Sequence, residues 1–344
     1  MPNALLRLIV FILCSNVVAI LSSERCDVCT CQMVDKVLLL NCSDTKPRKG
    51  DSPGMIRQPY PESYAHYAYN IIDAHFESNR IKTLSRLVLT NVKSLYLAHN
   101  EITAIDPEAF VKIRTLEILS LKDNKLHTLD EKSFRGLRNL ENLDLSYNDI
   151  TKLSPGTFSV LQSLKTLSLS HNAIENLEGE IFSIPTLQIL DLSFNSILHI
   201  GPIVFARAHN LRTLNLSNNK LTKIDDYKIA SLETLDLSSN GNVTVDPNAF
   251  TSFKYLKWLS LSSNGLEEMP SQVEMLGELR TLHLEGNAIK DLGETVKKLM
   301  LEELHVQNNN LQTFDVNAAR LRVSNLQTYM VQGLRKELVD KSQI

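Results

Sequence analysis

A single asparagine recurs along most of this chain, and the residues around it recur with it. Each copy lies in a leucine-containing segment, such as Leu140 to Ile150 (LENLDLSYNDI) or Leu164 to Ile174 (LKTLSLSHNAI). The eleven copies, spaced 21 to 24 residues apart, are Asn79, Asn100, Asn124, Asn148, Asn172, Asn195, Asn219, Asn240, Asn264, Asn287 and Asn309. Periods of this length are typical of solenoids, in which stacked units bury one continuous core.

The alternation inside each unit predicts a short strand. In Leu143-Asp144-Leu145, an extended chain turns both leucines inward and Asp144 outward. The asparagine then carries two donors and an acceptor into the turn that follows. Stacked at about 4.8 Å, such asparagines satisfy backbone groups of their own and neighbouring units. We therefore predict an α/β solenoid, a horseshoe with a parallel concave sheet and an irregular or short-helical convex side.

A large aromatic residue marks the return side of the units. The phenylalanines about ten residues after an asparagine are Phe110, Phe134, Phe158, Phe182, Phe205 and Phe250. We expect them to fill the space between strand and return, which leucine alone would leave void. Val273 and Val296 take this place in later units, and the unit containing Tyr227 is shorter, so these coils are predicted to be slimmer.

Residues 1–23 differ from the rest of the chain. Arg7 lies in an apolar run from Leu5 to Leu21, and Ser22 and Ser23 follow it. This order is typical of a secretory signal peptide, with an uncleaved signal anchor as the alternative. After its removal we expect no membrane span and a secreted, extracellular protein.

Four cysteines follow the leader within a short stretch: Cys26, Cys29, Cys31 and Cys42. An even set just beyond a signal peptide indicates two disulfides formed in an oxidising compartment. A four-thiolate zinc site is the alternative, although the Cys29-x-Cys31 spacing is awkward for it.

Together, these repeats and cysteines resemble the extracellular, 24-residue class of leucine-rich repeats found in Toll-type ectodomains, Slit-like guidance proteins and insect immune leucine-rich proteins. The cysteine cluster is similar to the N-terminal cap of that class. The resemblance implies pairing of Cys26 with Cys31 and of Cys29 with Cys42, and it makes the strand Val37 to Asn41 the cap's edge.

The predicted organisation has five parts: signal peptide 1–23, N-terminal cysteine cap 24–43, irregular excursion 44–70, about eleven repeats over 71–320, and a C-terminal capping segment 321–344. Apolar residues from Val323 to Asp340 have near-helical spacing, which predicts a helix over the last coil. The alternative is an amphipathic helix that recruits a partner, so self-association through this end is a possible second mode of binding.

The outward residues of the strands and the flanking aromatics form the predicted ligand surface. Those selected as contacts are Tyr96, Asp144, Tyr147, Asp191, Phe194, Asp236, Trp258, His283 and His305. Rigid aromatics among small polar residues are typical of protein-binding faces. Ordinary solvated filler is the competing interpretation for any single Ser or Asp. Trp258, the only tryptophan, is the most specific candidate.

Chemistry on this face is not expected. Asp144, Ser168 and His171 are ingredients of a catalytic triad, but an open sheet offers no oxyanion hole or shielding from water. His283 and His305 face outward on consecutive units beside Glu285 and Glu303, so a zinc or pH-sensing pair is conceivable. A solvated histidine pair is the usual explanation, and we predict no enzyme activity, metal or cofactor.

Three sequons begin at Asn41, Asn215 and Asn242, and Asn215 would carry its glycan in the middle of the concave face. The formal net charge is -3, which indicates no nucleic-acid partner. The predicted function is recognition of an extracellular protein ligand or co-receptor, in innate immunity or cell-surface signalling. The alternatives are a structural, matrix or adhesion protein and a receptor ectodomain lacking its membrane span.

Overall fold

The computed structural model describes residues 30–34, 37–41, 71–84, 87, 89 and 91–312. The chain divides into two compact units, the first formed by residues 1–150 and 156–164 and the second by residues 151–155 and 165–344. The predicted signal peptide, excursion and C-terminal helix lie outside the described residues, as do the side chains of all the cysteines.

In the first unit, six strands run in a sheet in the order β1-β2-β3-β5-β7-β9. They are β1 Thr30–Val34, β2 Val37–Asn41, β3 Ile71–His75, β5 Ser94–Tyr96, β7 Ile118–Ser120 and β9 Asn142–Asp144. From β2 to β9 the pairing is parallel, whereas β1 and β2 pair antiparallel. The expectation that β2 forms an edge is wrong, because the preceding segment folds back and adds β1 outside it.

In the second unit, seven parallel strands follow one another in the order β11-β13-β15-β17-β19-β20-β21. They are β11 Thr166–Ser168, β13 Ile189–Asp191, β15 Thr213–Asn215, β17 Thr234–Asp236, β19 Trp258–Ser260, β20 Thr281–His283 and β21 Glu303–His305. Each strand pairs in register with the next, so equivalent residues of successive coils form straight columns.

A two-residue strand follows each of the eight main strands from β3 to β17, on the return side of the coil. They are β4 Thr83–Leu84, β6 Ala104–Ile105, β8 Thr128–Leu129, β10 Lys152–Leu153, β12 Asn176–Leu177, β14 His199–Ile200, β16 Lys223–Ile224 and β18 Thr244–Val245. Turns complete most coils. A 3-10 helix, Ser271–Met275, and one α-helix, α1 Thr295–Lys298, occupy the return side of two later coils. This confirms the predicted fold class, a solenoid of stacked coils that carry a parallel sheet.

The return side is filled as the phenylalanine register predicts. Phe134 and Phe158 are fully buried and stack with ring centroids 5.9 Å apart, and Phe182 and Phe205 repeat this distance in the second unit. Burial of each such ring stabilises the fold by about 1.5–3 kcal/mol. In the short coil, Tyr227 occupies the same layer and meets Phe205 edge-on at 6.2 Å.

The asparagines tie neighbouring coils together. The Asn124 amide donates to the carbonyl oxygens of Leu97 and Leu121, both at 3.0 Å, and its oxygen accepts from the N–H of Ile102 at 3.0 Å. Asn219 makes the equivalent contacts with Leu192, Leu216 and Ile197. Each amide thus hydrogen-bonds buried backbone groups on two neighbouring coils. No helix of the described residues is long and apolar enough to cross a membrane.

Candidate functional site: the solvent-facing side of the sheet

The central outward residues of the strands form one column in each unit. In the second unit, the register places Asp191, Asn215, Asp236 and Ser260 side by side on successive strands. Asp191 and Asp236 each accept a hydrogen bond from the backbone N–H two residues on, at 3.0 and 2.9 Å. One carboxylate oxygen therefore stabilises the turn, which is a structural role that the sequence analysis did not assign to these acidic residues.

Asp144 plays the same part in the first unit. Its Oδ1 accepts from the backbone N–H of Ser146 at 2.9 Å and from the Ser146 hydroxyl at 2.6 Å. The other predicted contacts of that unit are aromatic. Tyr96 stacks on His75 with centroids 4.5 Å apart, and Lys122 Nζ lies 5.2 Å from the centre of the Tyr147 ring.

The residue before the asparagine has left-handed backbone geometry. Its φ is 55° at Tyr147, 54° at His171, 52° at Phe194 and 54° at Asn218. Glycine or asparagine adopts this conformation with little strain, whereas a bulky aromatic does not. Tyr147 and Phe194 are nevertheless exposed, at 46% and 47%. Neither backbone preference nor core packing explains these two rings.

Phe194 has an aromatic neighbour, and two other apolar side chains of its coil are exposed. Its ring stacks on His171 with centroids 4.2 Å apart and 8° between the planes. Ile189 on the same coil is 43% exposed, and Leu198 is 45% exposed. The sequence analysis missed Ile189. Comparing units would have found it, because Thr166, Thr213 and Thr234 fill the equivalent position.

Trp258 lies on the sheet face rather than inside the coil, as predicted, and it is partly covered. Its ring centroid is 5.0 Å from that of His283, and His283 stacks on His305 at 4.1 Å with 10° between the planes. The structure therefore brings three of the predicted site residues into one aromatic row along β19, β20 and β21.

Glu285 completes this row. Its Oε1 lies 2.9 Å from His283 Nδ1 and 3.7 Å from His305 Nδ1, and its Oε2 accepts a hydrogen bond from the Ser262 hydroxyl. Burial raises the pKa of this carboxyl, but the hydrogen bonds from His283 and Ser262 outweigh it and lower the pKa to about 2. Glu285 is therefore ionised at neutral pH.

The predicted sequons differ in setting. Asn215 lies within β15, and its Oδ1 accepts from the N–H of Ser217 at 3.0 Å. Asn242 lies at an exposed turn. Asn41 ends β2, and its side chain lies outside the described residues.

Stacked coils, an asparagine ladder and an open sheet lined with exposed rings define a repeat scaffold that presents a broad surface. The leucine-rich repeat family model matches residues 90–150, 138–184, 185–232 and 230–289, more than half of the chain. The chain belongs to the leucine-rich repeat family. Members of this family are typically non-catalytic scaffolds.

Solved structures agree on the fold. A Leptospira interrogans leucine-rich-repeat protein matches with a TM-score of 0.67 and 28% identity over 76% of this chain and 67% of its own. The TLR13–ssRNA13 complex matches with a TM-score of 0.60 and 28% identity, over 71% of this chain and 41% of that one. The Drosophila Toll–Spatzle complex matches with a TM-score of 0.67 and 22% identity, over 75% of this chain and 36% of that one. This chain thus spans less than half of the TLR13 and Toll chains. No curated protein sequence matched significantly.

Proposed function

We propose that this chain is a secreted, extracellular recognition protein that binds a protein partner through the solvent-facing side of its sheet, the predicted concave face, without catalysing a reaction. Immune or cell-surface signalling is the setting that we favour, because Toll, a structural relative, is described with Spatzle as a hub in innate immunity. The observation that carries the proposal is the exposure of Phe194 in a left-handed backbone conformation.

The position of Phe194 does not require an aromatic residue for folding. Equivalent positions hold Asn218, Ser239, Ser263 and Gly286, all with positive φ. An aromatic residue at this position has a strained backbone and leaves apolar area exposed to solvent. Both features concentrate at functional sites. Stacking on His171 holds the ring in one orientation, so little side-chain entropy is lost on binding. Phe194 therefore supplies a preorganised apolar anchor of the kind that dominates interface energetics.

Charge favours a protein over a nucleic acid as the partner. The TLR13 structure contains a single-stranded RNA. In this chain, Asp191 and Asp236 occupy the central column of the second unit, and each keeps one carboxylate oxygen that the turn does not use. These carboxylates repel a phosphate backbone, which basic side chains would need to neutralise. They suit a partner with lysine or arginine at the rim of an apolar contact.

The hydroxyl groups of the face support a non-catalytic role. Ser168 Oγ lies 3.2 Å from Ser170 Oγ, while the His171 ring is stacked on Phe194. The Ser168 hydroxyl thus bonds within its own turn, and the His171 ring packs against the aromatic anchor.

Capture followed by mutation tests the proposal. The full chain is expressed in secreting cells, cross-linked in extracellular fluid, and its partner identified and measured by surface plasmon resonance. Phe194→Ala should weaken binding at least tenfold, whereas Tyr255→Ala, which removes a 60% exposed ring from the loop before β19, should not change it. Equal affinity for wild type and Phe194→Ala would exclude this anchor, and retention of the chain in the membrane fraction would exclude secretion.

A further inference from the structure

The histidine row at β20 and β21 carries a separate function. We propose that His283, Glu285 and His305 form a binding site for a divalent transition-metal ion of the zinc type, with two imidazole nitrogens and one carboxylate oxygen as ligands. The inference does not depend on the proposed protein partner.

The parallel register assembles the ligands. His283 and His305 are direct neighbours on β20 and β21, and Glu285 follows His283 by two residues on the same side of the chain. One potential ligand atom from each residue lies within 4.8 Å of the others. Because the strands are locked in the sheet, these groups are held together before any ion binds, which lowers the entropy cost of assembling them.

The distances suit a zinc ion closely. With metal–ligand bonds of about 2.0–2.1 Å and tetrahedral angles, two zinc ligands lie about 3.3 Å apart. Glu285 Oε1 is 2.9 Å from His283 Nδ1 and 3.7 Å from His305 Nδ1, so the observed separations bracket this value. The rings of His283 and His305 are stacked with 10° between their planes, so metal binding requires one ring to rotate out of the stack and aim its nitrogen lone pair at the shared ion.

The surroundings orient the ligands. The Ser262 hydroxyl holds Glu285 Oε2, which leaves Oε1 turned to both imidazoles. The other nitrogen of His305, Nε2, lies 3.8 Å from Glu303 Oε2. This distance is too long for a hydrogen bond. A carboxylate is, however, the usual partner of the non-ligating nitrogen of a metal-bound histidine, and Glu303 is near enough to take that place when the ring turns.

Burial and donor type favour a metal over a merely solvated pair. The side chains of His283, His305 and Glu285 are only 22%, 19% and 27% exposed. A donor set of two imidazole nitrogens and one carboxylate oxygen binds zinc in preference to magnesium or calcium.

The first unit offers a control. His75 Nδ1 lies 3.1 Å from Glu77 Oε1, with the same spacing as His283 and Glu285, but its neighbour in the column is Tyr96 rather than a second histidine. His75→Ala therefore removes a similar His–Glu pair without removing a three-ligand site.

Isothermal titration of the full, metal-stripped chain with ZnCl₂ tests the proposal, with circular dichroism to verify folding. We expect His305→Ala and Glu285→Gln each to lose one equivalent of bound Zn²⁺. Ser262→Ala should lower the affinity for that Zn²⁺ ion about tenfold. His75→Ala should bind Zn²⁺ with the stoichiometry and affinity of wild type. Bound Co²⁺ should show visible d–d absorption that disappears in Glu285→Gln, a change too small in shape to unfold the coil. The same stoichiometry and affinity in wild type, His305→Ala and Glu285→Gln would overturn the proposal, as would no Zn²⁺ binding by wild type.

Discussion

Asp226 accepts a hydrogen bond from the hydroxyl of Ser252 on the next coil, with 2.7 Å between Asp226 Oδ2 and Ser252 Oγ. The same oxygen accepts from the Thr251 hydroxyl at 2.7 Å and from Lys228 Nζ at 2.9 Å. Only 5% of the Asp226 side chain is exposed. One buried carboxylate thus joins the short coil of the second unit to its neighbour.

This carboxylate should make stability depend on acid. Burial raises the pKa of Asp226, but hydrogen bonds from Lys228, Ser252 and Thr251 outweigh it, so the pKa is lowered from its ordinary 3.8. A group whose pKa is lowered by folding stabilises the protein above its unfolded pKa, and this contribution is lost as the pH falls through and below that value. We expect urea unfolding to show a steeper loss of free energy from about pH 5 to pH 3 for wild type than for Asp226→Asn. Equal slopes in wild type and Asp226→Asn would contradict the assignment.

Loss of one ladder asparagine should destabilise the second unit measurably. Asn195 is buried, donates to the carbonyl oxygens of Leu169 and Leu192, and accepts from the N–H of Ile174. Asn195→Ala leaves the buried N–H of Ile174 without its acceptor, whereas the two carbonyls keep a second donor from Asn172 and Asn219. The loss should cost about 1–3 kcal/mol of unfolding free energy in urea titrations. Asn176→Ala, on the exposed side of β12, should cost under about 0.5 kcal/mol. Similar losses for both variants would show that the amide hydrogen bonds add little.

Gly136 should tolerate alanine less well than another glycine of similar backbone geometry. Gly136 has φ 103°, and an added Cβ would lie 2.8 Å from the carbonyl oxygen of Phe110. Gly241 has φ 89° and nothing within 4 Å of its Cβ position. Both substitutions carry the backbone cost of about 1–2 kcal/mol, but only Gly136→Ala adds a clash with the backbone. In thermal unfolding, the melting temperature of Gly136→Ala should therefore be lower than that of Gly241→Ala. The reverse order would show that the chain relaxes around the new methyl group.

The two central sequons should differ in occupancy. Asn242 is exposed at a turn, whereas Asn215 lies between Asp191 and Asp236 on neighbouring strands. A bulky glycan is accommodated better at the turn than within the ordered column. Peptide mapping of the secreted chain after enzymatic deglycosylation should find Asn242 more fully modified. Higher occupancy at Asn215 would instead show that a sugar divides the face and would move the expected contact zone away from Asp191.

The fold could be predicted closely from the sequence because the repeated apolar positions are the ones that each coil buries. Leu143 and Leu145 follow the alternation of a strand, and both are buried. Such patterns depend on local geometry, which is the same in every coil. The phenylalanine layer could be predicted for the same reason.

The site was less predictable because it depends on neighbours in space. Ser260 faces outward by alternation, yet it is only 5% exposed, since Trp258 and His283 flank it. Alternation gives the side of the sheet but not how far adjacent rings cover it. The contact between Glu285 and both histidines likewise depends on side-chain rotation across two coils, which residue spacing does not contain.

The asparagine ladder also constrains how the length of this protein can change. Each ladder asparagine bonds one carbonyl of its own coil and an equivalent carbonyl of the preceding coil, as Asn124 does with Leu121 and Leu97. Duplication or deletion of one whole coil reproduces the same bonds at the new junction, whereas an insertion of a few residues on a strand misaligns every column that crosses it. The gene can therefore grow or shrink by complete units, and shorter length variation is tolerated only in the turns that return the chain to the next strand.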